Sequence, residues 1–228
     1  MSLPAIAPYR FDPGDIPPSR VVWSPDPVRS ALLVHDLQTY FIQAFDRSDD
    51  QAQVNVAVRR IADLIQAARR LEIPVAYTAQ PPRQDLADRA LLTDLWGPGM
   101  QTEEQAEILT ELAPQPGDLV IEKWRYSAFI RTSLERQLRV RGRDQLMVTG
   151  VYAHIGCLTT CLDAFMRDIH PFLIADALAD FTAEDHAMAV DYAAQRCARV
   201  LGTDQLIQAW DGPAGQPAEQ PSEQGELR

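Results

Sequence analysis

"QLMVTGVYAHIGCLTTCLDAFMRDIHPFLIAD", residues 145–176, holds two apolar runs separated by one helix-length segment. QLMVTGV (145–151) and PFLIAD (171–176) lack the regular polar alternation of a strand with one face in water, so both read as strands buried on two faces. Residues 157–168 between them supply about three turns of helix. Two strands joined through a helix in this way run parallel, with a right-handed crossover. The unit points to a parallel sheet covered on both faces by helices.

The same alternation extends in both directions. ALLVH (31–35) is a buried strand ending at Asp36. A helix follows at about 51–71, where Val54, Val58, Ile61, Leu64, Ile65 and Ala68 recur at three- and four-residue steps with charges largely between them. IPVAYT (73–78) is the next strand, residues 102–112 read as one amphipathic helix, and DLVIEK (118–123) is another strand. A helix at 132–141 stops near Gly142. Helix 183–198, strand RVLGT (199–203) and a short helix at 204–210 complete the pattern. The expectation is a three-layer α/β/α domain over 31–210 with a six-stranded parallel sheet. Residues 1–30, rich in Pro and turn formers, read as an extended arm over the surface, ordered by Tyr9, Phe11 and Trp23. Residues 211–228, rich in Pro, Gln and Glu without an apolar period, are expected to be a disordered tail.

Composition narrows the function. The chain has 228 residues, a formal charge of −11 and a pI near 4.7. An acidic protein of this kind is poorly suited to general nucleic-acid binding or to docking on anionic lipid. An anionic small molecule would need a local positive pocket to overcome the overall field. Cys157, Cys161 and Cys197 make an odd number without regular spacing, which fits a reduced, cytoplasmic setting better than a disulfide framework. The N-terminus has neither the basic start nor the apolar core of a signal peptide, and no run reaches membrane-spanning length.

In an open parallel sheet, ligands bind beyond the carboxyl ends of the strands. Those ends carry Asp36, Gln80, Lys123 and Tyr152, an acid, an amide, an amine and a phenol. Lys123 is the only lysine in a chain with 20 arginines. Where other cations are free to be Arg, a retained Lys suggests a need for a compact ammonium with three donors. The histidines His35, His154, His170 and His186 form no zinc-ligand spacing, alone or with the cysteines, so no metal is expected. His154 is the histidine expected nearest the site, although a satisfied structural role suits it better. No glycine-rich phosphate loop is present, so no nucleotide cofactor is expected either.

Five blocks, ALLVHDLQTYF, YTAQP, DRALLTDLWGPGM, KWRYSAF and TGVYAHIGCLTTCLDAFMRDIHPFLIADALADF, together resemble the isochorismatases of siderophore synthesis and the aminodeoxyisochorismate hydrolases of phenazine synthesis. The similarity runs over about residues 3–208. The wider superfamily includes amidases whose nucleophilic Cys lies seven residues before the Asp of an Asp-Ala pair. Here that pair is Asp163-Ala164, and seven residues back is Gly156 rather than Cys157. The resemblance therefore implies a reaction without a thiol nucleophile, with Cys157 a packed side chain.

The implied reaction is hydrolysis of an enolpyruvyl vinyl ether by protonation of its terminal carbon and addition of water. The resemblance assigns proton donation to Asp36, with Lys123 and Gln80 as catalytic partners. Phe41, Trp96 and Tyr126 would wall the pocket, raising the Asp36 pKa by burial. Arg89, Tyr152 and Gly156 complete the substrate-binding set, with a cis Val151–Tyr152 peptide implied. A nearby Lys123 ammonium would act against that rise in the Asp36 pKa, so Lys123 either binds a substrate carboxylate or shares a proton with Asp36. The substrate is isochorismate or its 2-amino-2-deoxy analogue, and a non-catalytic scaffold is the reading of another class. A homodimer or higher homo-oligomer is implied. No carrier domain is expected in the tail, so any carrier protein would be a separate partner.

Overall fold

The computed structural model describes residues 3–212. Its six strands are β1 (Ser30–His35), β2 (Val75–Ala79), β3 (Leu119–Glu122), β4 (Gln145–Val151), β5 (His170–Ala179) and β6 (Arg199–Leu201). All neighbours pair in parallel, in the order β3-β2-β1-β4-β5-β6. The helices are α1 (Thr39–Ile42), α2 (Gln53–Arg70), α3 (Leu86–Arg89), α4 (Leu92–Trp96), α5 (Glu103–Ala106), α6 (Leu134–Val140), α7 (Leu158–Phe165), α8 (Ala183–Arg196) and α9 (Thr203–Asp211). Two apolar clusters, one on each face of the sheet, give the three layers expected from the sequence. From residue 213 onward, the expected disordered tail lies outside the described residues. No helix among the described residues is long and apolar enough to cross a membrane.

β1 and β4 are buried at every position, as their unbroken apolar runs require. The α2 stripe packs on the sheet, with Ile61 and Leu64 wholly removed from water, each worth about 1.5–3 kcal/mol of burial. Residues 3–29 lie across the domain. Ile6 bridges to Phe45, the Phe11 ring stacks 4.4 Å from His186, and Trp23 meets His170 edge-on at 4.9 Å.

The chain lays β1, β2 and β3 toward one edge, then returns to place β4 on the other side of β1. The strand order reverses between β1 and β4, which opens a crevice at their carboxyl ends. Gly150 makes the close approach possible. Its φ is +114°, and a Cβ there would lie 2.1 Å from the His35 carbonyl oxygen.

One expected element is broken. Residues 102–112 form α5 and a short 3₁₀ turn, Thr110–Leu112, rather than a single helix. Between them the chain is extended. Thr39 N–H donates to the Glu107 carbonyl and Leu109 N–H to the Leu37 carbonyl, both at 2.8–2.9 Å. Pairing with the segment after β1 supplies the hydrogen bonds that a continuous helix would have made internally, so tertiary contact overrides the local period.

Candidate active site

A pocket that opens to solvent sits at the β1–β4 switch point. Every residue named from the sequence lines it: Asp36, Lys123, Gln80, Arg89, Trp96, Tyr126, Tyr152, Gly156 and Phe41. They come from the ends of β1, β2, β3 and β4 and the turns that follow them, from α1 (Phe41) and from the α3–α4 segment (Arg89 and Trp96).

Asp36 follows β1 with φ +53°, an unusual conformation for a residue with a side chain. Its backbone N–H donates to Thr78 Oγ1, and the Thr78 hydroxyl donates to Oδ1 at 2.6 Å. Lys123 Nζ donates to Oδ2 at 2.8 Å, and Gln80 Nε2 reaches the same oxygen at 3.4 Å. Lys123 and Asp36 are 2% and 4% exposed, so the ion pair is held out of water. Burial pushes the Asp36 carboxyl up, but the Lys123 ammonium, His35 and the Lys123 and Thr78 hydrogen bonds outweigh it. The net pKa lies below the ordinary carboxylate value, opposite to the direction expected from apolar walls alone.

Gln38 braces this arrangement. Its amide nitrogen donates to the Gln80 and Ala106 carbonyls, and its carbonyl oxygen accepts from the Gln80 N–H at 2.8 Å. Arg89 is 5% exposed with no carboxylate partner among the described residues. Its Nε donates to the Gly97 carbonyl at 2.6 Å and Nη1 to Gln84 at 3.3 Å. Burial lowers its pKa. Gly99, at φ +73°, runs so close that a Cβ would lie 2.6 Å from Arg89 Nη1. A buried guanidinium with spare donors has the geometry to accept a carboxylate through two parallel hydrogen bonds.

Phe41, Trp96, Tyr152 and Phe181 form the aromatic side. Trp96 Nε1 donates to the Tyr126 hydroxyl at 2.8 Å, and the Tyr152 hydroxyl donates to the Phe41 carbonyl at 3.0 Å. The Phe181 ring lies 4.4 Å from Tyr152. The Val151–Tyr152 peptide is cis. Residues Ala153–Cys157 then form a widened helical turn, in which Cys157 N–H reaches the Tyr152 carbonyl five residues back. Cys157 is wholly buried, its Sγ set 3.9 Å from the Thr149 carbonyl, and burial pushes the thiol pKa well above its usual value. A protonated, inaccessible thiol is no nucleophile.

The structure adds His35, Arg125 and Phe181 to the cavity wall. Arg125 follows Lys123 by two residues, and that adjacency was its only signal in the sequence. His35, rather than His154, is the histidine at the site. His154 Nδ1 is bound to Asp180 at 2.7 Å, and that hydrogen bond raises its pKa. His154, Asp180 and Asp185 lie close together. The Asp180 oxygens, however, already accept from the His154 and Phe181 backbone N–H groups and meet the His154 ring, which leaves the cluster explained as a structural brace.

The isochorismatase domain model matches residues 30–205. The chain belongs to the isochorismatase family. It is 51% identical over 218 residues to the protein named isochorismatase from Bacillus subtilis (strain 168), covering 94% of this chain and 69% of that one. Similarity to enterobactin synthase component B of Escherichia coli (strain K12) is 46% identity, covering 92% and 73%. Phenazine biosynthesis protein PhzD of Pseudomonas fluorescens is 47% identical, with 90% and 98% covered. Among solved structures, a cysteine hydrolase from Pseudomonas syringae pv. phaseolicola aligns with a TM-score of 0.75 at 27% identity, over 85% of this chain and 96% of that one. The chain is therefore a hydrolase of the isochorismatase family, built on a three-layer fold with a parallel sheet.

Proposed function

We propose that this chain hydrolyses the enolpyruvyl ether of isochorismate to pyruvate and 2,3-dihydro-2,3-dihydroxybenzoate. The observation that carries the reading is the buried Asp36–Lys123 pair, joined in one pocket by Arg89, which has no carboxylate partner among the described residues, and by Gly156, which stands where the resemblance places the amidases' nucleophile.

In the resting site Asp36 is a carboxylate beside an ammonium. A dianionic substrate entering beside this buried pair raises its proton affinity. Arg89 receives one substrate carboxylate, and Arg125 and the spare Lys123 donors face the other. The pair then delivers a proton through Asp36 to the terminal methylene carbon, converting the C=C bond to a methyl group and leaving an oxocarbenium ion. The Asp36 carboxylate so formed faces that cation and stabilises it. A water held by the Gln80 amide adds to the cationic carbon and returns its proton to Asp36. The hemiketal then breaks the bond between its central carbon and the ether oxygen: its hydroxyl becomes the pyruvate carbonyl, and that proton goes to the ether oxygen, which leaves as a hydroxyl of the ring diol. Water is the only reagent consumed, and the thiol of Cys157 takes no part.

The likeness to PhzD supports 2-amino-2-deoxyisochorismate as the second candidate substrate, since it carries the same enolpyruvyl ether. The test is pyruvate release coupled to lactate dehydrogenase, with each substrate offered separately in the presence of a chelator. Faster release from isochorismate supports the proposal, and faster release from the amine moves the chain to the second reading. Release from neither overturns both and favours a binding protein on this fold. The proposal includes a homodimer in the cytoplasm and a separate carrier protein as pathway partner. Sedimentation of the purified chain tests the first of these.

A further inference from the structure

His35 is fully buried at the end of β1, directly before Asp36. Its Nδ1 lies 3.0 Å from the Val151 carbonyl oxygen and 3.8 Å from Asp36 Oδ2, and its Nε2 lies 3.3 Å from the Tyr126 carbonyl oxygen. Burial pushes its pKa down to about 4 against the opposing pull of Asp36, so the ring is neutral at pH 7 and has one N–H. The shorter contact puts that proton on Nδ1, donating to Val151. The ring also lies against Gly156. A Cβ at 156 would fall 2.2 Å from His35 Cε1, 2.9 Å from Nε2 and 3.1 Å from Nδ1. No side chain fits there unless the imidazole leaves.

We propose that His35 is a positioning residue that shares one packing site with Gly156, its imidazole filling the volume into which a residue-156 side chain would project and thereby holding Asp36 and the 151–156 turn in register. The proposal rests on the ether-hydrolase reading and adds a determinant to it. A nucleophile at 156 and an imidazole at 35 exclude each other, so the pair commits the site to water rather than to a covalent intermediate. The ring touches the peptide carbonyl before Tyr152 and adjoins Asp36, but makes no hydrogen bond to Arg89. Disturbing it therefore acts on proton transfer more than on substrate affinity.

The experiment is a double-mutant cycle of Gly156→Ala, His35→Ala and the pair, reading kcat and KM for pyruvate release and Tm for all four proteins. Gly156→Ala alone expels the ring and lowers kcat about 100-fold, the order seen for misplacement of a catalytic group by about 1 Å, and His35→Ala, which leaves position 156 as glycine, lowers kcat while KM stays within about 3-fold. The double variant recovers about 10-fold in kcat over Gly156→Ala, because residues that share a volume couple with strong non-additivity. His35→Asn, which keeps an N–H for the Val151 carbonyl, exceeds His35→Ala in kcat. A Gly156→Ala enzyme with wild-type kcat, or a double variant at the product of the single losses, overturns the proposal. If Gly156→Ala does not fold, a folded and active double variant supports the shared site, and failure of both to fold overturns it. If the wild-type chain releases pyruvate from neither substrate, the functional reading fails, while the Tm cycle still decides whether the two positions share one volume.

Discussion

Replacing Lys123 with Met keeps the side chain's length and removes its charge. Lys123 Nζ lies 2.8 Å from Asp36 Oδ2, with both side chains at or below 5% exposure. A solvent-exposed pair would contribute about 0–1 kcal/mol. Breaking a buried one leaves an uncompensated charge and costs about 3–5 kcal/mol, a large share of the about 5–15 kcal/mol that holds a domain folded. The pH dependence carries more information than the size. In the wild type the folded Asp36 pKa is depressed, so its contribution is present above the unfolded value and is lost as pH falls through the folded one. Without the ammonium, burial is the dominant influence left and the folded pKa rises above the unfolded value. The variant is then least destabilised at low pH and loses stability as pH rises from the unfolded value through the new folded one. Urea unfolding of both proteins at pH 5, 6.5 and 8 reads this directly. The deficit of Lys123→Met should grow from pH 5 to pH 8, and adding Asp36→Asn should recover part of it. A deficit under about 1 kcal/mol, the size of a surface pair, or one that does not change with pH, would refute the buried-pair account.

Arg89→Met should raise KM for the anionic substrate by about 100-fold, the loss of a charge-assisted bidentate contact worth about 3 kcal/mol, with a smaller change in kcat. Steady-state kinetics separate the two constants. Cys157→Ala should keep kcat within about 3-fold, and iodoacetamide should not inhibit the wild type, because the thiol is buried and protonated. Rapid loss of pyruvate release on alkylation would contradict this. Acid should destabilise the fold through His35 and His186, both pushed by burial to about 4. The unfolded chain takes up these protons near pH 6.5, so stability is lost between about pH 6.5 and 4, by about 3 kcal/mol per histidine at 1.36 kcal/mol per unit. Thermal unfolding of His186→Gln over that range should show a shallower slope than the wild type.

The order and type of the long elements were legible in the chain before any tertiary contact was considered. Helix α2 and strands β1, β4 and β5 were legible because an apolar stripe or an unbroken apolar run is a local pattern that burial then rewards. The same patterns put Asp36, Gln80 and Lys123 at carboxyl ends of strands, since those ends follow directly from the strand reading. Short pieces were less legible. α3 and α4 are too brief to show a period, and residues 102–112 carry a helical pattern that loses to backbone pairing with the segment after β1. The strand order came from the folded arrangement alone, because parallel neighbours such as β1 and β4 are more than a hundred residues apart and nothing local encodes their pairing. That order decides the chemistry. It brings the ammonium of Lys123 onto Asp36, turning a carboxyl expected to be raised by burial into one held low by its partner. It also sets His35 rather than His154 against the site, and presses the imidazole onto Gly156. A residue's type and place along the chain fix what it can do, while its charge state and the room beside it depend on neighbours brought in from distant segments.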